Sequence, residues 1–437
     1  MLRIVDTGLK RTYNRQPSFF NNIGKRRLSI LFLHPNFPGQ FRRLAGALAK
    51  RAEISVYGLG DRSWTENLTP LQGVHTLTYE PPEANATQAA CHPWVKGFDA
   101  AVHRGQRVIE TLAKHKSQGL EPDVIVAHPG WGDAFFVRDF FPGARVIGLF
   151  EYFYRPRGAD VGFDPTFPVS MDDIFRLHTS NATQLLALES CDTGICPTPW
   201  QKSLFPGAYS NRLQVLHEGV DTNQAKPSVS ASYTLPTGQT LHAGDEVLTY
   251  VSRHLEPYRG FHILMRALPA VLKERPQCQV VIVGGETGGG YGPKPPPPFV
   301  SWKEKALREL GTEVDISRVH FVGQLPYDQY LRVLQVSKLH VYLTYPFILS
   351  WSALEAMACG CSILASDTQP VTDAMVHEHN AILFPFHSHQ ALSEHAVHML
   401  ANPAEYADLG RNARQTICDN FDFETISLPA YRKLLEL

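Results

Sequence analysis

Two arginines six residues apart, Arg253 and Arg259 in SRHLEPYRG, are the side chains of this sequence best suited to hold a diphosphate. A guanidinium presents a fixed fork of donors that matches phosphate oxygens, and Gly260 opens a helix whose free N–H groups add to the same field. A second stretch asks for the same kind of ligand. In 345–366, YPFILSWSALEAMACGCSILAS, a loop over 347–352 leads into a helix that carries Glu355 about one turn in. The loop is placed to receive an anion at the helix start, and the Glu355 carboxylate can accept hydrogen bonds from a pair of neighbouring hydroxyls. A nucleotide sugar offers both a diphosphate and a ribose diol.

In the first half the residues with chemistry are Glu151, His128, His34 and Gly39. Glu151 ends the apolar run ARVIGLF ahead of Arg155 and Arg157, so it is either a site carboxylate or a member of an ion pair at a sheet edge. His128 closes DVIVAH before PGWGD and reads as a site residue or as a hydrogen-bonded structural histidine. His34 closes LSILFLH; the turn PNFPG after it sets Gly39 where backbone can approach a phosphate or a sugar, although a turn needs glycine for steric reasons too. Gly285 ends the run QVVIVGG, and His320 and Phe321 lie in RVHFVGQLPYDQY, where a base can rest against a strand end. No D-x-D triplet occurs, and the H-x-H pairs His377/His379 and His387/His389 lie among polar loop residues, so no metal and no cofactor are expected.

These residues need a scaffold that brings distant segments to one edge. Apolar strand-length runs at 28–34, 123–128 and 144–150 alternate with helical stretches at 98–115, 131–140 and 171–188, and the second half repeats the alternation from residue 246. Strand alternating with helix predicts an α/β fold of doubly wound parallel sheets, whose sites form outside the carboxyl ends of the strands. At 437 residues the chain exceeds what one core holds, so two domains are expected. Their predicted bounds are 28–221 and 246–420, separated by the Ser, Pro and Gly-rich 222–245 as a linker. Residues 421–437 form a last helix returning toward the first domain.

Composition narrows the partners. Net charge is -1, with 41 basic against 42 acidic side chains, so no field steers the chain to nucleic acid. No apolar run approaches a membrane span, and seven cysteines without CxxC spacing argue for a reducing, cytoplasmic setting. Residues 1–27 hold seven Lys or Arg against one Asp. They read as a flexible extension, with an organelle-targeting role or peripheral contact with the inner face of a membrane as the alternatives.

Taken together, SRHLEPYRG, RVHFVGQLPYDQY and LSWSALEAMACGCSILAS resemble the retaining glycosyltransferases of family 4, from about residue 28 to the C-terminus. The FEYFYRPRGADVGFDP stretch is similar to one bacterial branch of that family. The resemblance implies the GT-B architecture, two Rossmann-like domains facing a central cleft. The nucleotide-sugar donor belongs to the second domain, and a glycan, lipid-linked or small-molecule acceptor to the first. Arg253 matches the family's diphosphate arginine, and Arg259 stands where a lysine is usual. Glu355 matches the second glutamate of an E-x7-E motif, on the nucleotide ribose. The first glutamate is replaced by Phe347 and a loop glycine by Ser350, which leaves the donor sugar to the backbone N–H groups of Leu349, Ser350, Trp351 and Ser352. Glu151 lies near the position of a catalytic-site histidine. Retaining, metal-independent transfer is the function so implied. A catalytically silent nucleotide-sugar-binding protein of the same fold is the second hypothesis, motivated by Phe347.

Overall fold

The computed structural model describes residues 27–82, 91–287, 290–311 and 314–437. The expected basic extension, 1–26, therefore lies outside the described residues. In the first domain, β1 (Leu28–Leu33), β2 (Ile54–Asp61), β3 (Val74–Tyr79), β4 (Val124–Ala127), β5 (Arg145–Leu149), β6 (Thr193–Cys196) and β7 (Leu213–Val215) form one sheet in the order β3-β2-β1-β4-β5-β6-β7. All its pairings are parallel, which is why β1 and β4 read as unbroken apolar runs: helices cover both faces. The strand order reverses between β1 and β4, and a doubly wound sheet opens its crevice at such a point. His34 and His128 follow these two strands directly.

Helices Arg42–Ala49, Lys96–Lys116 and Met171–Ser190 flank this sheet. The helix expected over 131–140 is shorter than its sequence suggested. A single turn at Pro129–Trp131 and a helix over Val137–Phe140 form, parted at Gly132. Gly132 takes φ +98°, and a Cβ there would lie 2.1 Å from the Ala101 carbonyl oxygen, so close approach to helix Lys96–Lys116 interrupts the helical path.

The expected linker is ordered structure. Within 222–245, β8 (Ser232–Thr234) and β9 (Thr240–His242) make an antiparallel hairpin. Tyr233, Leu235 and Leu241 are buried in the second domain's core, and three-residue strands are too short to show an alternating pattern beside so many Ser, Pro and Gly. Then β10 (Val247–His254), β11 (Gln279–Gly285), β12 (Val319–Gly323), β13 (Leu339–Tyr342), β14 (Ser362–Ser366) and β15 (Ile382–Phe384) form a second parallel sheet in the order β12-β11-β10-β13-β14-β15. Its order reverses between β10 and β13. Arg253 closes β10, Arg259 follows it, and the 343–350 loop follows β13, so the second crevice is built from the segments that carried the sequence signal.

The two domains meet through residues 150–167. Tyr152 Oη lies 2.7 Å from Asp160 Oδ1 and 3.0 Å from the Pro346 carbonyl oxygen, while Tyr258 of the second domain donates to Asp160 Oδ2 at 3.0 Å. Asp164 Oδ2 takes the Tyr345 hydroxyl at 2.9 Å and lies 3.0 Å from His262 Nε2. Phe163 packs its ring tilted against Tyr345 and edge-on against Phe386. One buried apolar cluster thus runs without a break from β1 and β4 to β10 and β13. At the far end, helix Leu428–Leu435 sets Tyr431, Leu434 and Leu435 among Ile30, Phe32 and Leu44 of the first domain. Among the described residues no helix is long and apolar enough to cross a membrane.

Candidate active site

On the second domain, Arg259 is held by its own surroundings. One guanidinium nitrogen donates to the Thr344 hydroxyl at 2.9 Å and the Ile348 carbonyl at 2.9 Å, and lies 3.3 Å from Tyr342 Oη. The group also sits 5.8 Å from the centre of the Phe347 ring and 5.9 Å from that of Tyr291. Phe347 is buried against Tyr152, Tyr258 and Tyr291. Of the two arginines expected to clamp a diphosphate, Arg259 is a buried cation under an aromatic cover that fixes the 343–348 loop. With Phe347 beside it, this guanidinium is satisfied by backbone and hydroxyl oxygens rather than by a carboxylate.

Arg253 is the exposed cation of the pair. It lies at the end of β10, and its charge adds a minor push against protonation of His34, after burial and His128. Gly285 sits beneath it: a Cβ there would meet the Arg253 carbonyl at 3.4 Å and His254 Nδ1 at 3.2 Å. His320 does not join the site. Its Nε2 lies 2.8 Å from Gln279 Oε1, at the start of β11, so the side chain is turned to the amino ends of the strands, and Phe321 is covered by Lys303. The strand was readable, but the direction of a side chain within it was not.

The loop at 349–352 closes on itself. Leu349 is buried, and the Ser350 N–H donates to Tyr342 Oη at 3.0 Å. Ser350 Oγ lies 2.8 Å from Ser352 Oγ and caps the N–H of Ala353, starting helix Trp351–Ala358. Glu355 is buried in that helix, and its oxygens are engaged. Oε1 receives Tyr327 Oη at 2.8 Å and Arg43 of the first domain at 3.1 Å, and Oε2 receives Tyr330 Oη at 2.9 Å. Expected as a free acceptor for a diol, the carboxylate is already furnished with donors.

On the first domain the expected residues converge. Glu151 Oε2 lies 2.9 Å from His128 Nε2, and Oε1 takes the Gln40 amide at 2.8 Å. Burial alone raises the Glu151 carboxyl, but His128 and Gln40 outweigh it and hold it below the usual carboxylate range. Burial lowers His128, but Glu151, Asp133 and Glu218 outweigh it and raise the imidazole above its ordinary value. His34, with its ring centre 5.1 Å away, is pushed down to about 3 by burial and by the His128 charge, and its Nδ1 accepts the Asn36 N–H at 2.9 Å. Gly39, at φ +46°, lies under the His34 ring; a Cβ there would be 2.6 Å from Nε2, so the glycine is required by that packing.

Sequence reading missed the next members. Glu218 of HEGVD follows β7, is buried, and has no hydrogen-bond partner for either oxygen. Burial and the Glu151 charge push it up to about 8. His217 Nε2 is 3.6 Å away, and Arg43 fixes the turn by donating to the Gly219 carbonyl at 3.0 Å. The signal available was an acid following an apolar run in RLQVLHEGVDT, the same signal that marked Glu151. The cleft is thus edged by titratable groups, Glu355, Arg43, Glu218, Glu151, His128 and His34, of which burial holds Glu218 and His34 toward their neutral forms. A cavity of about 390 Å³ opens beside the seam, with Tyr154, Asp160, Asp164, Arg176, Tyr258 and Tyr345 in its wall. Among the described residues no cluster of three or more His, Cys, Asp or Glu is arranged to hold a metal ion.

Comparison with known proteins agrees with the two-domain architecture. A model of the glycosyl transferase family 4 group matches residues 54–225, and a model of glycosyl transferases group 1 matches residues 237–416. D-inositol 3-phosphate glycosyltransferase of Rhodococcus jostii is 25% identical over 221 residues, 50% of this chain and 46% of that protein. The chain spans about half the length, or less, of the curated relatives it matches first. Among solved structures, sucrose-phosphate synthase from Thermosynechococcus elongatus superposes with TM-score 0.70 at 20% identity, over 94% of this chain and 100% of that one. Anabaena HepE, solved with UDP and glucose, superposes with TM-score 0.63 at 18% identity, over 94% and 100%. These likenesses carry the fold: two Rossmann-like domains facing a cleft, the GT-B arrangement.

Proposed function

The chain belongs to the family 4, group 1 glycosyltransferases with the GT-B fold, and on that footing we propose that it moves a sugar from a nucleotide-diphosphate sugar to an acceptor hydroxyl, with retention and without a metal. The observation that carries this reading is the placement of exposed Arg253 at the reversal point of the second sheet and of the paired His128 and Glu151, beside His34, at the reversal point of the first. In the proposed reaction the bond from the anomeric carbon to the β-phosphate oxygen breaks, with Arg253 stabilising the charge that develops on the leaving diphosphate. The acceptor oxygen bonds to the same face, and its proton passes to the departing phosphate oxygen. Protonated His128 and ionised Glu151 form the fixed dipolar wall that aligns the acceptor and faces the oxocarbenium-like centre.

The cavity of about 390 Å³ suits the acceptor. Its tyrosine faces and carboxylates match sugar rings and hydroxyls, whether of a glycan, a lipid-linked sugar or a small polyol. UDP is the first donor base to try, since HepE was solved with it. We place the reaction at the cytoplasmic side, in keeping with seven cysteines that lack CxxC spacing. The test is the anomeric configuration of the product by proton NMR, with and without a chelator: retention unaffected by the chelator is expected, and inversion or loss of turnover contradicts the proposal. A second reading, a silent donor-binding protein, is favoured by one observation, the Phe347 ring filling the place of the acid. Nucleotide binding without turnover on any donor and a broad acceptor set selects it.

A further inference from the structure

We propose that Arg43 is a donor-responsive residue contributed by the first domain: its guanidinium and the nucleotide ribose take turns on the Glu355 carboxylate. The inference rests on the donor reading above and adds a residue to it.

A carboxylate offers about four acceptor positions on its two oxygens. In Glu355 three are filled, two on Oε1 by Arg43 and Tyr327 and one on Oε2 by Tyr330. A ribose diol that engages both oxygens in the plane of the carboxylate must displace at least one of these donors. Tyr330 is buried and leaves least readily. Arg43 is the partner from the other domain. Its side chain is 20% exposed and lies 5.5 Å from the Trp351 ring centre, with a second nitrogen anchored to the Gly219 carbonyl. Its release from Glu355 leaves the anchor intact, so the guanidinium stays at the cleft edge. Tyr327, 41% exposed, is the second displaceable donor on the same oxygen. Ligand arrival therefore exchanges an interdomain contact for a ligand contact, which couples donor binding to the hold between the domains.

The test titrates UDP and GDP by calorimetry into the full chain and into Arg43→Ala, Arg43→Gln, Tyr327→Phe and Glu355→Gln. Removing the competitor should tighten the accepted nucleotide by about tenfold in Arg43→Ala, the worth of one charge-assisted hydrogen bond, and by less in Tyr327→Phe. Arg43→Gln, which keeps a donor but no charge, should change in the same direction, and Glu355→Gln should weaken binding. Hydrogen exchange of the amides in helix Arg42–Ala49 should rise in the wild type when nucleotide is added. Unchanged or weaker binding in both Arg43 variants, or slower exchange in that helix, overturns the competition while leaving the donor reading standing. Absence of nucleotide binding in every protein, wild type included, overturns the donor reading and this inference with it.

Discussion

Of the two arginines at the second crevice, exposed Arg253 is free to act on a ligand and buried Arg259 holds the loop. Arg253 is exposed at the end of β10, so Arg253→Ala should lower donor turnover by roughly a hundredfold to a thousandfold, with unfolding free energies from urea melts within about 0.5 kcal/mol of the wild type. Glu218 has a raised carboxyl, from an ordinary 4.5 to about 8, so the folded state binds its proton more tightly than the unfolded state. Its effect on stability is fully favourable below pH 4.5, erodes as pH rises toward 8, and is constant above. Urea melts of Glu218→Gln should therefore gain on the wild type between pH 5 and pH 9; parallel curves would contradict the assignment. The sequence made Glu151, His128 and Arg253 legible because each closes an apolar run. It could not show that Glu355 is already furnished, because Tyr327, Tyr330 and Arg43 come from other segments and meet it only in the folded chain.

Among elements, the strand, loop, helix and strand over 339–366 decide the cleft, and most of that unit was readable from its periodicity. The loop's inner packing was not. Phe347 stood out only as a missing acid, whereas in the fold its ring joins Tyr152 of the first domain to Tyr258 and Tyr291 of the second. Phe347→Ala should cost about 3 kcal/mol or more in urea unfolding, as for a fully buried aromatic, and should expose the Arg259 guanidinium. Gly260 begins helix Phe261–Glu274 at φ +66°, where a Cβ would stand 2.4 Å from the Leu343 Cβ. Gly260→Ala should therefore destabilise by about 1–3 kcal/mol, read by the same melts. The β8–β9 hairpin shows the opposite limit: its composition reads as linker, and only contact with the second domain's core makes it a structural element.

For the molecule as a whole, doubly wound order and two domains were legible because alternation of strand and helix extends over hundreds of residues. How the domains are joined was hidden, since the seam is built from polar pairs and ring contacts between 150–167 and the second crevice, which only the folded chain brings together. Asp164 carries much of it. Burial raises its carboxyl, but His262, Thr166 and Tyr345 outweigh burial and hold it below its ordinary 3.8. That contribution is present above about pH 4 and is lost as pH falls through the depressed value, so acid should part the domains before either unfolds. Small-angle scattering below pH 4 should show an enlarged radius with far-ultraviolet dichroism retained, and Asp164→Asn should show it at higher pH. The central claim, that these facing crevices hold a nucleotide-diphosphate sugar for transfer, is tested most directly by nucleoside-diphosphate release across UDP-, GDP- and ADP-sugars with mixed acceptors. The account predicts release from sugars of one base, lost in Arg253→Ala; no release from any donor, or release indifferent to Arg253, would contradict it.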